Sequence, residues 1–283
     1  MNALRLALLA IALAIAIATG WRMAGLPLSW PAFAPAQRIA VAPVPPAPAP
    51  RPAPAQTIEA MRGLVEARVA AIPAYAAYFA RLRAAFPAEY PAILDAIARP
   101  ALAAAAKGAA PGSADEDVAL AMHRLRQTHG ILAARAELAT LDRLPLAQLA
   151  IMKALAAGDP KLCVDYFYGG GTRDFYAFSA LNRALVANLA IASLDAIAEG
   201  RSRDNAPPEP GDADIQSFDD SLAAGGLDRA QIDVLLEGKM PGTPLDDASL
   251  CHAGLVYLQV ALSLPGAIRL PLLSRSAALA ARS

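Results

Sequence analysis

Alanine-rich stretches that carry larger apolar residues at helical spacing follow one another from Thr57 to the end of the chain. In the first stretch, Ile58, Met61 and Val65 recur three or four positions apart, which puts them on one face of an α-helix. Alanine is the best helix former and a poor strand former. Alternating β-branched and polar residues are almost absent here. The pattern therefore predicts an all-α fold, an irregular multi-helix bundle.

Prolines, glycines and a capping sequence divide this part of the chain into predicted helices. Pro73 should interrupt the first helical stretch, 57–82, because a proline inside a helix removes a hydrogen bond and clashes with the preceding turn. Ser113 and Glu116 have the S-x-x-E spacing of a capping box, and one helix is predicted from there to about Thr140. Further helices are predicted over 87–106, 145–157, 161–168, 172–199, 213–224, 228–237 and 245–264, with a last one broken at Pro271.

The helical body, residues 57–283, is long enough for one large or two small domains. Its clearest internal boundary is the charged, proline-rich segment 201–212, which reads RSRDNAPPEPGD. Such composition is typical of an exposed connection. A subdivision into 57–200 and 213–283 is therefore an open alternative to a single domain.

Residues 1–22 form an N-terminal leader, which we predict to be an apolar helix. The run Leu6–Ala18 contains only leucine, isoleucine and alanine. It is short for a membrane span, which needs about 20 residues, but suits the apolar region of a signal peptide. Residues 16–18 fit the small-x-small cleavage rule, whereas Trp21 and Trp30 are typical interfacial aromatics of an uncleaved anchor. Both interpretations remain open.

Residues 23–56 follow as a proline- and alanine-rich tether. Such sequences favour polyproline II, so residues 42–55 would span about 40 Å; a disordered spacer is the alternative. Either interpretation of the leader puts the helical body outside the cytoplasm of a bacterium. With an anchor, residues 4–21 contact the inner membrane and the body is periplasmic; after signal cleavage the body is free in the periplasm.

Charge and motif content exclude several classes of function. The chain has 25 basic and 25 acidic residues and no net charge, so it lacks the basic surface expected of a nucleic-acid partner. Its three histidines do not cluster with cysteines or acids at metal-ligand spacing. No hydrolase, metalloprotease or dinucleotide motif is present. We therefore predict no catalytic residue, no cofactor-binding residue and no metal ligand.

Cys163 and Cys251 are the two cysteines of the chain. Two cysteines in an exported protein indicate one disulfide, which would join the predicted helices 161–168 and 245–264. The alternative is a thiol nucleophile with His252 or His129 as its base. Cys251 and His252 are sequence neighbours and diverge by about 100° on a helix, so they are a poor catalytic pair.

Aromatic and charged residues are most concentrated around the glycines at 169–171. A candidate recognition surface there consists of Asp165, Tyr166, Tyr168, Arg173, Asp174 and Tyr176. The alternative is that the aromatic side chains belong to the core beside a rigid loop.

The leader and tether favour an interaction or scaffold module that binds another envelope protein or a cell-wall component, since a spacer helps to reach a target away from the bilayer. The alternative is a periplasmic hydrolase acting on cell-wall material, with acids or Cys163 and His252 at its site. The sequence favours a non-enzyme.

Overall fold

The computed structural model describes residues 57–169, 172–238 and 244–282. Within these ranges the chain is helical and contains no strand, so the predicted all-α fold is confirmed. The leader and the tether lie outside the described residues, and the predictions about them stay predictions. The helices are α1 (Ile58–Ala70), α2 (Pro73–Ala85), α3 (Tyr90–Ala106), α4 (Ala114–His129), the 3-10 helix η1 (Gly130–Arg135), α5 (Leu138–Leu141), α6 (Arg143–Ala156), α7 (Pro160–Phe167), α8 (Arg173–Leu181), α9 (Arg183–Arg201), α10 (Asp212–Ala224), α11 (Arg229–Glu237), α12 (Asp247–Ser263) and α13 (Gly266–Ala280).

Local sequence signals explain many of the helix starts. Ser113 forms the predicted capping box with Glu116: its hydroxyl accepts the Glu116 amide at 3.2 Å, and the Glu116 carboxylate accepts the Ser113 amide at 2.8 Å. The box satisfies backbone donors that the first turn leaves without helical partners. Pro73 ends the first helical stretch as predicted and takes the first position of α2, where its missing N–H costs nothing.

The prediction of one helix from Ser113 to about Thr140 was wrong, because α4 ends at His129 and a 3-10 helix follows. The change comes at Gly130, where an added Cβ would lie 3.0 Å from the Cβ of Ala281 and from the Cγ of Arg126. The end of α13 therefore packs closely against the chain there. η1 packs on α9 and α13, so tertiary contacts determine the path that the local sequence leaves open.

The predicted helix 172–199 is also divided. α8 and α9 meet at an angle of 102°. The break is at Asn182, whose side-chain amide donates to the Phe178 carbonyl at 3.0 Å. Asparagine side chains compete with the helical hydrogen-bond ladder in this way.

The prediction of a break at Pro271 was wrong, since α13 continues through it. The proline is buried with Leu272 and Leu279. Packing of this helix therefore offsets the cost of a proline inside it, about 3 kcal/mol.

Two apolar clusters form most of the core. The first cluster joins α1–α4, η1 and α9 around five buried aromatic side chains, Tyr75, Tyr78, Phe79, Phe86 and Tyr90. The second cluster joins α6, α7, α10, α11 and α12 around Phe167, Phe218 and Tyr257. Segments from both sides of residues 201–212 contribute to each cluster. The subdivision at that segment stays a prediction.

The disulfide between Cys163 and Cys251 lies inside the second cluster and joins α7 to α12. The two Cα atoms are 5.7 Å apart, and both side chains are buried. The predicted pairing is therefore confirmed, and no free cysteine remains in the described residues.

Candidate functional site

A cavity of about 190 Å³ lies where the two clusters meet. We call it the central cavity. Tyr78, Leu125 and Val186 line it from the first cluster, and Met152, Phe167 and Leu258 line it from the second. Its wall is mostly apolar. Ligand sites in proteins commonly combine an apolar wall with a few polar groups that orient the ligand.

One face of α4 forms a long side of the central cavity. Asp115, Ala119, Met122 and Arg126 all line it. Their spacings of four, three and four residues place them on one face of a helix. Asp115 and Arg126 are eleven positions apart, which corresponds to about 16 Å along the helix axis. The central cavity is therefore elongated, with an acidic side chain near one end of α4 and a basic one near the other.

The acidic end is fully compensated. Asp115 is buried, with 5% of its surface exposed. Its carboxylate accepts the Tyr75 hydroxyl at 2.6 Å and two guanidinium N–H groups of Arg183 at 3.4 Å. Burial and the bond to Asp115 raise the pKa of Tyr75, so the tyrosine stays protonated and donates. This end carries a paired charge.

The basic end is not compensated in the same way. Arg126 is partly buried, and its polar contact among the described residues is with Nδ1 of His123 at 3.5 Å. Burial lowers the pKa of Arg126, because the charged form loses hydration. No carboxylate pairs with it in the described part of the chain.

Two more polar atoms of the wall have no hydrogen-bond partner among the described residues. They are the hydroxyl oxygen of Tyr78 and the amide oxygen of Gln148, and both are buried. Burial raises the pKa of Tyr78, so its hydroxyl remains a donor. Buried polar atoms are nearly always hydrogen-bonded, so both are available to a guest in the central cavity.

The structure divides the candidate recognition surface into two groups. Tyr166 and Tyr176 line the central cavity with Phe175, and the rings of Tyr166 and Phe175 stack at 5.2 Å between centroids. The Tyr168 hydroxyl is buried and has no hydrogen-bond partner in the part of the chain that the structure describes.

The charged members of that set lie elsewhere. Asp165 accepts a hydrogen bond from Lys161 at 2.6 Å, one turn away on α7. Arg173 and Asp174 are exposed in the first turn of α8. A recognition role for the whole set stays a prediction.

Four polar residues of the cavity wall were not predicted as site residues from the sequence: Tyr78, Asp115, Arg126 and Gln148. A single signal could have found Arg126: it stands on the same helical face as Asp115 and Met122. No residue spacing could show that α2, α6 and α9 also border this face.

Cys163 cannot act as a thiol nucleophile while it is bonded to Cys251. His252, its proposed base, is exposed on α12. His129 is partly buried, with Nε2 3.5 Å from the Glu89 carboxylate and its ring 5.3 Å from the ring of Phe86.

Within residues 57–169, 172–238 and 244–282, no group of three or more histidine, cysteine or acidic side chains is arranged to hold a metal ion. The described helices include none that is long and apolar enough to cross a membrane alone. The bent pair α8 and α9 meets the length and composition criteria only when taken together.

No family model matches the chain, and no curated protein or solved structure matches it either. Function is therefore inferred from the central cavity and its lining.

Proposed function

We propose that this protein is an interaction module on the periplasmic side of a bacterial inner membrane, and that its helical body binds an apolar small molecule in the central cavity. The cavity is the observation that carries the proposal. An engineered apolar cavity of about 150 Å³ already binds benzene, and this one measures about 190 Å³. There is room for a small apolar guest.

The stability cost of an unfilled cavity favours the binding of a ligand. Cavities created in protein cores cost about 24 cal/mol per Å³. That figure holds for closed, dry cavities; the central cavity is partly open and has polar atoms on its wall, so at about 190 Å³ the upper limit of its cost is about 4–5 kcal/mol. A ligand that fills the space recovers part of that cost on binding.

The proposed periplasmic location is supported by other parts of the chain. The apolar leader, the tether and the disulfide are together typical of an exported protein, because disulfides persist in oxidising compartments. A tether would hold the helical body off the bilayer, where it could receive a small molecule or contact an envelope partner. Fractionation that recovers the intact chain from the cytosol with both sulfurs reduced would contradict this location.

The binding proposal is tested with the neutral fluorescent probe phenylnaphthylamine and the full chain. Ala119 lines the central cavity on α4, so Ala119→Leu fills part of it. We expect this variant to bind the probe at least about tenfold more weakly, since the lost space removes apolar contact area. We also expect its probe-free unfolding free energy to rise by about 0.5–2 kcal/mol.

Ala223→Leu is the matched control, because Ala223 is exposed on α10 and the same added side chain leaves the cavity untouched. Equal probe binding by both variants would place the probe outside the central cavity. Absence of any saturable binding to the unmodified chain would remove the proposal.

A further inference from the structure

The basic end of the central cavity contains a positive charge that the described residues leave unpaired. Two other half-buried arginines of this fold have carboxylate partners: Arg68 pairs with Asp117 at 2.7 Å and Arg269 with Asp142 at 2.9 Å. Arg126 has a histidine nitrogen at 3.5 Å instead. Burying a charge partly without a counter-ion is unfavourable. An anion bound next to the Arg126 guanidinium group would offset that cost.

The surroundings of Arg126 add to the positive potential. His123 lies one turn before it on α4, and Arg124 lies between them in the sequence. Burial is the main cause that lowers the pKa of His123, and the charges of Arg126 and Arg124 lower it further. The partial negative charge at the end of the helix favours a cation in its last turn, but this effect is weak. Asp115, the acid of the cavity wall, is already paired with Arg183 at the far end of α4.

The rest of the wall fits an apolar chain. From Arg126 the lining face of α4 continues through Met122 and Ala119, and Phe175 and Leu258 border the same space. A molecule that satisfied both parts would place an anionic group at Arg126 and an apolar tail along α4. Guanidinium groups pair well with carboxylates and phosphates, because their planar N–H donors match two oxygens.

We propose that the ligand of the central cavity is an amphiphile with one apolar tail and one anionic head group, and that Arg126 binds the head group. This inference rests on the proposed function and names the class of ligand. The head group is a carboxylate or a phosphate, both of which offer the oxygen pair that a guanidinium binds.

The test measures displacement of phenylnaphthylamine from the full chain in lipid nanodiscs, with empty nanodiscs correcting for probe in the lipid. The competitors are decanoate, decyl phosphate and the uncharged decanol. Arg126→Met keeps an apolar side chain and removes the charge. We expect it to weaken binding of at least one anion about 10- to 100-fold, which is the range of a hydrogen bond to a charged group. The affinity for decanol should change by less than about twofold.

Two further variants separate binding from structure. Arg126→Lys keeps the charge and should retain part of the anion affinity, since a lysine offers a point charge without the fork. Arg99→Gln removes an exposed charge from α3, at a position that does not line the central cavity, and should leave the ratio of anion to decanol affinity unchanged. The ligand-free Arg126→Met protein should melt at the same temperature or higher, whereas loss of a structural arginine would lower it.

The outcomes distinguish the two proposals. The head-group assignment is overturned if Arg126→Met weakens the binding of decanol as much as that of both anions, or if it weakens the binding of neither anion. The proposal of an apolar site stands in both cases. If the probe and all three competitors fail to bind the unmodified chain, both proposals fall. Dependence on Arg126 for decanoate alone identifies a carboxylate ligand, and dependence for decyl phosphate identifies a phosphate one.

Discussion

Buried polar side chains in this fold differ in whether their neighbours satisfy them. Asp115 has a tyrosine and an arginine as partners, and such satisfied groups are compatible with a stable core. The Tyr78 hydroxyl and the Gln148 amide oxygen have none among the described residues, although both are on the wall of the central cavity. At the residue scale, the wall of the central cavity therefore offers two buried polar atoms to which a ligand can hydrogen-bond.

His123 gives this end of α4 a dependence on pH. Burial lowers its pKa first, and the charges of Arg126 and Arg124 lower it further. A histidine whose pKa is lower in the folded state leaves stability intact above its unfolded pKa, about 6.5, and reduces it as the pH falls towards the folded pKa. Acidification below about pH 6.5 should therefore destabilise the fold through this residue.

His123→Gln should remove that contribution, which is at most about 1.4 kcal/mol per pH unit for one proton. Urea unfolding of both proteins across this pH range gives the difference in unfolding free energy. We expect the unfolding free energy of the variant, relative to that of the unmodified protein, to increase as the pH falls. A difference that stays constant with pH would show that His123 does not titrate differently on folding.

At the scale of elements, α9 packs against elements of both apolar clusters. It contacts α2, α4, η1, α5 and α6, and its residues Val186, Ala190 and Ile197 line the central cavity. Its small residues allow this crowding. At Gly200 an added Cβ would lie 1.8 Å from the Leu132 carbonyl oxygen, so the backbone of η1 runs directly against the helix.

Gly200→Ala should therefore destabilise the fold by about 1–3 kcal/mol, the usual cost of overpacking. Gly63→Ala is the control: Gly63 is exposed inside α1, and an added Cβ would meet no atom of the described residues within 4 Å. It should stabilise by about 0.4–1 kcal/mol through the unfolded state. Urea denaturation measures both. Stabilisation of both variants by a similar amount would contradict the close contact between α9 and η1.

At the scale of the whole molecule, the disulfide connects segments that are 88 residues apart in sequence. Removing both sulfurs with Cys163→Ser and Cys251→Ser should cost about 2–5 kcal/mol of unfolding free energy. The chain-entropy relation gives about 4.5 kcal/mol for a loop of this length. Calorimetry or urea unfolding of the double variant, compared with the oxidised protein, checks this value.

A matched measurement uses the unmodified chain under reducing conditions, which should unfold with nearly the same free energy as the double variant. Loss of stability only in the serine variant would indicate that the added hydroxyls, and not the missing bond, are responsible. Because Phe167 lines the central cavity four residues from Cys163, the double variant should also bind the apolar probe more weakly.

Much of the helical body was predictable from the sequence alone. Alanine content and the spacing of residues such as Met61 and Val65 identified helices, and Ser113 with Glu116 marked a helix start correctly. These signals are local: they act through backbone preference and through contacts within one turn. The disulfide was predictable for a different reason, since two cysteines allow one pairing.

Tertiary packing alone decided the rest. The end of α4 at His129 depends on the end of α13, which is distant in sequence and packs against Gly130. The helix through Pro271 continues because that proline is buried in the packed core. The central cavity depends on more: it exists only because helices from both clusters leave space between them. Residue spacing determines which face of a helix is apolar, but the partner of that face, and any gap between the two, is set by how whole helices pack.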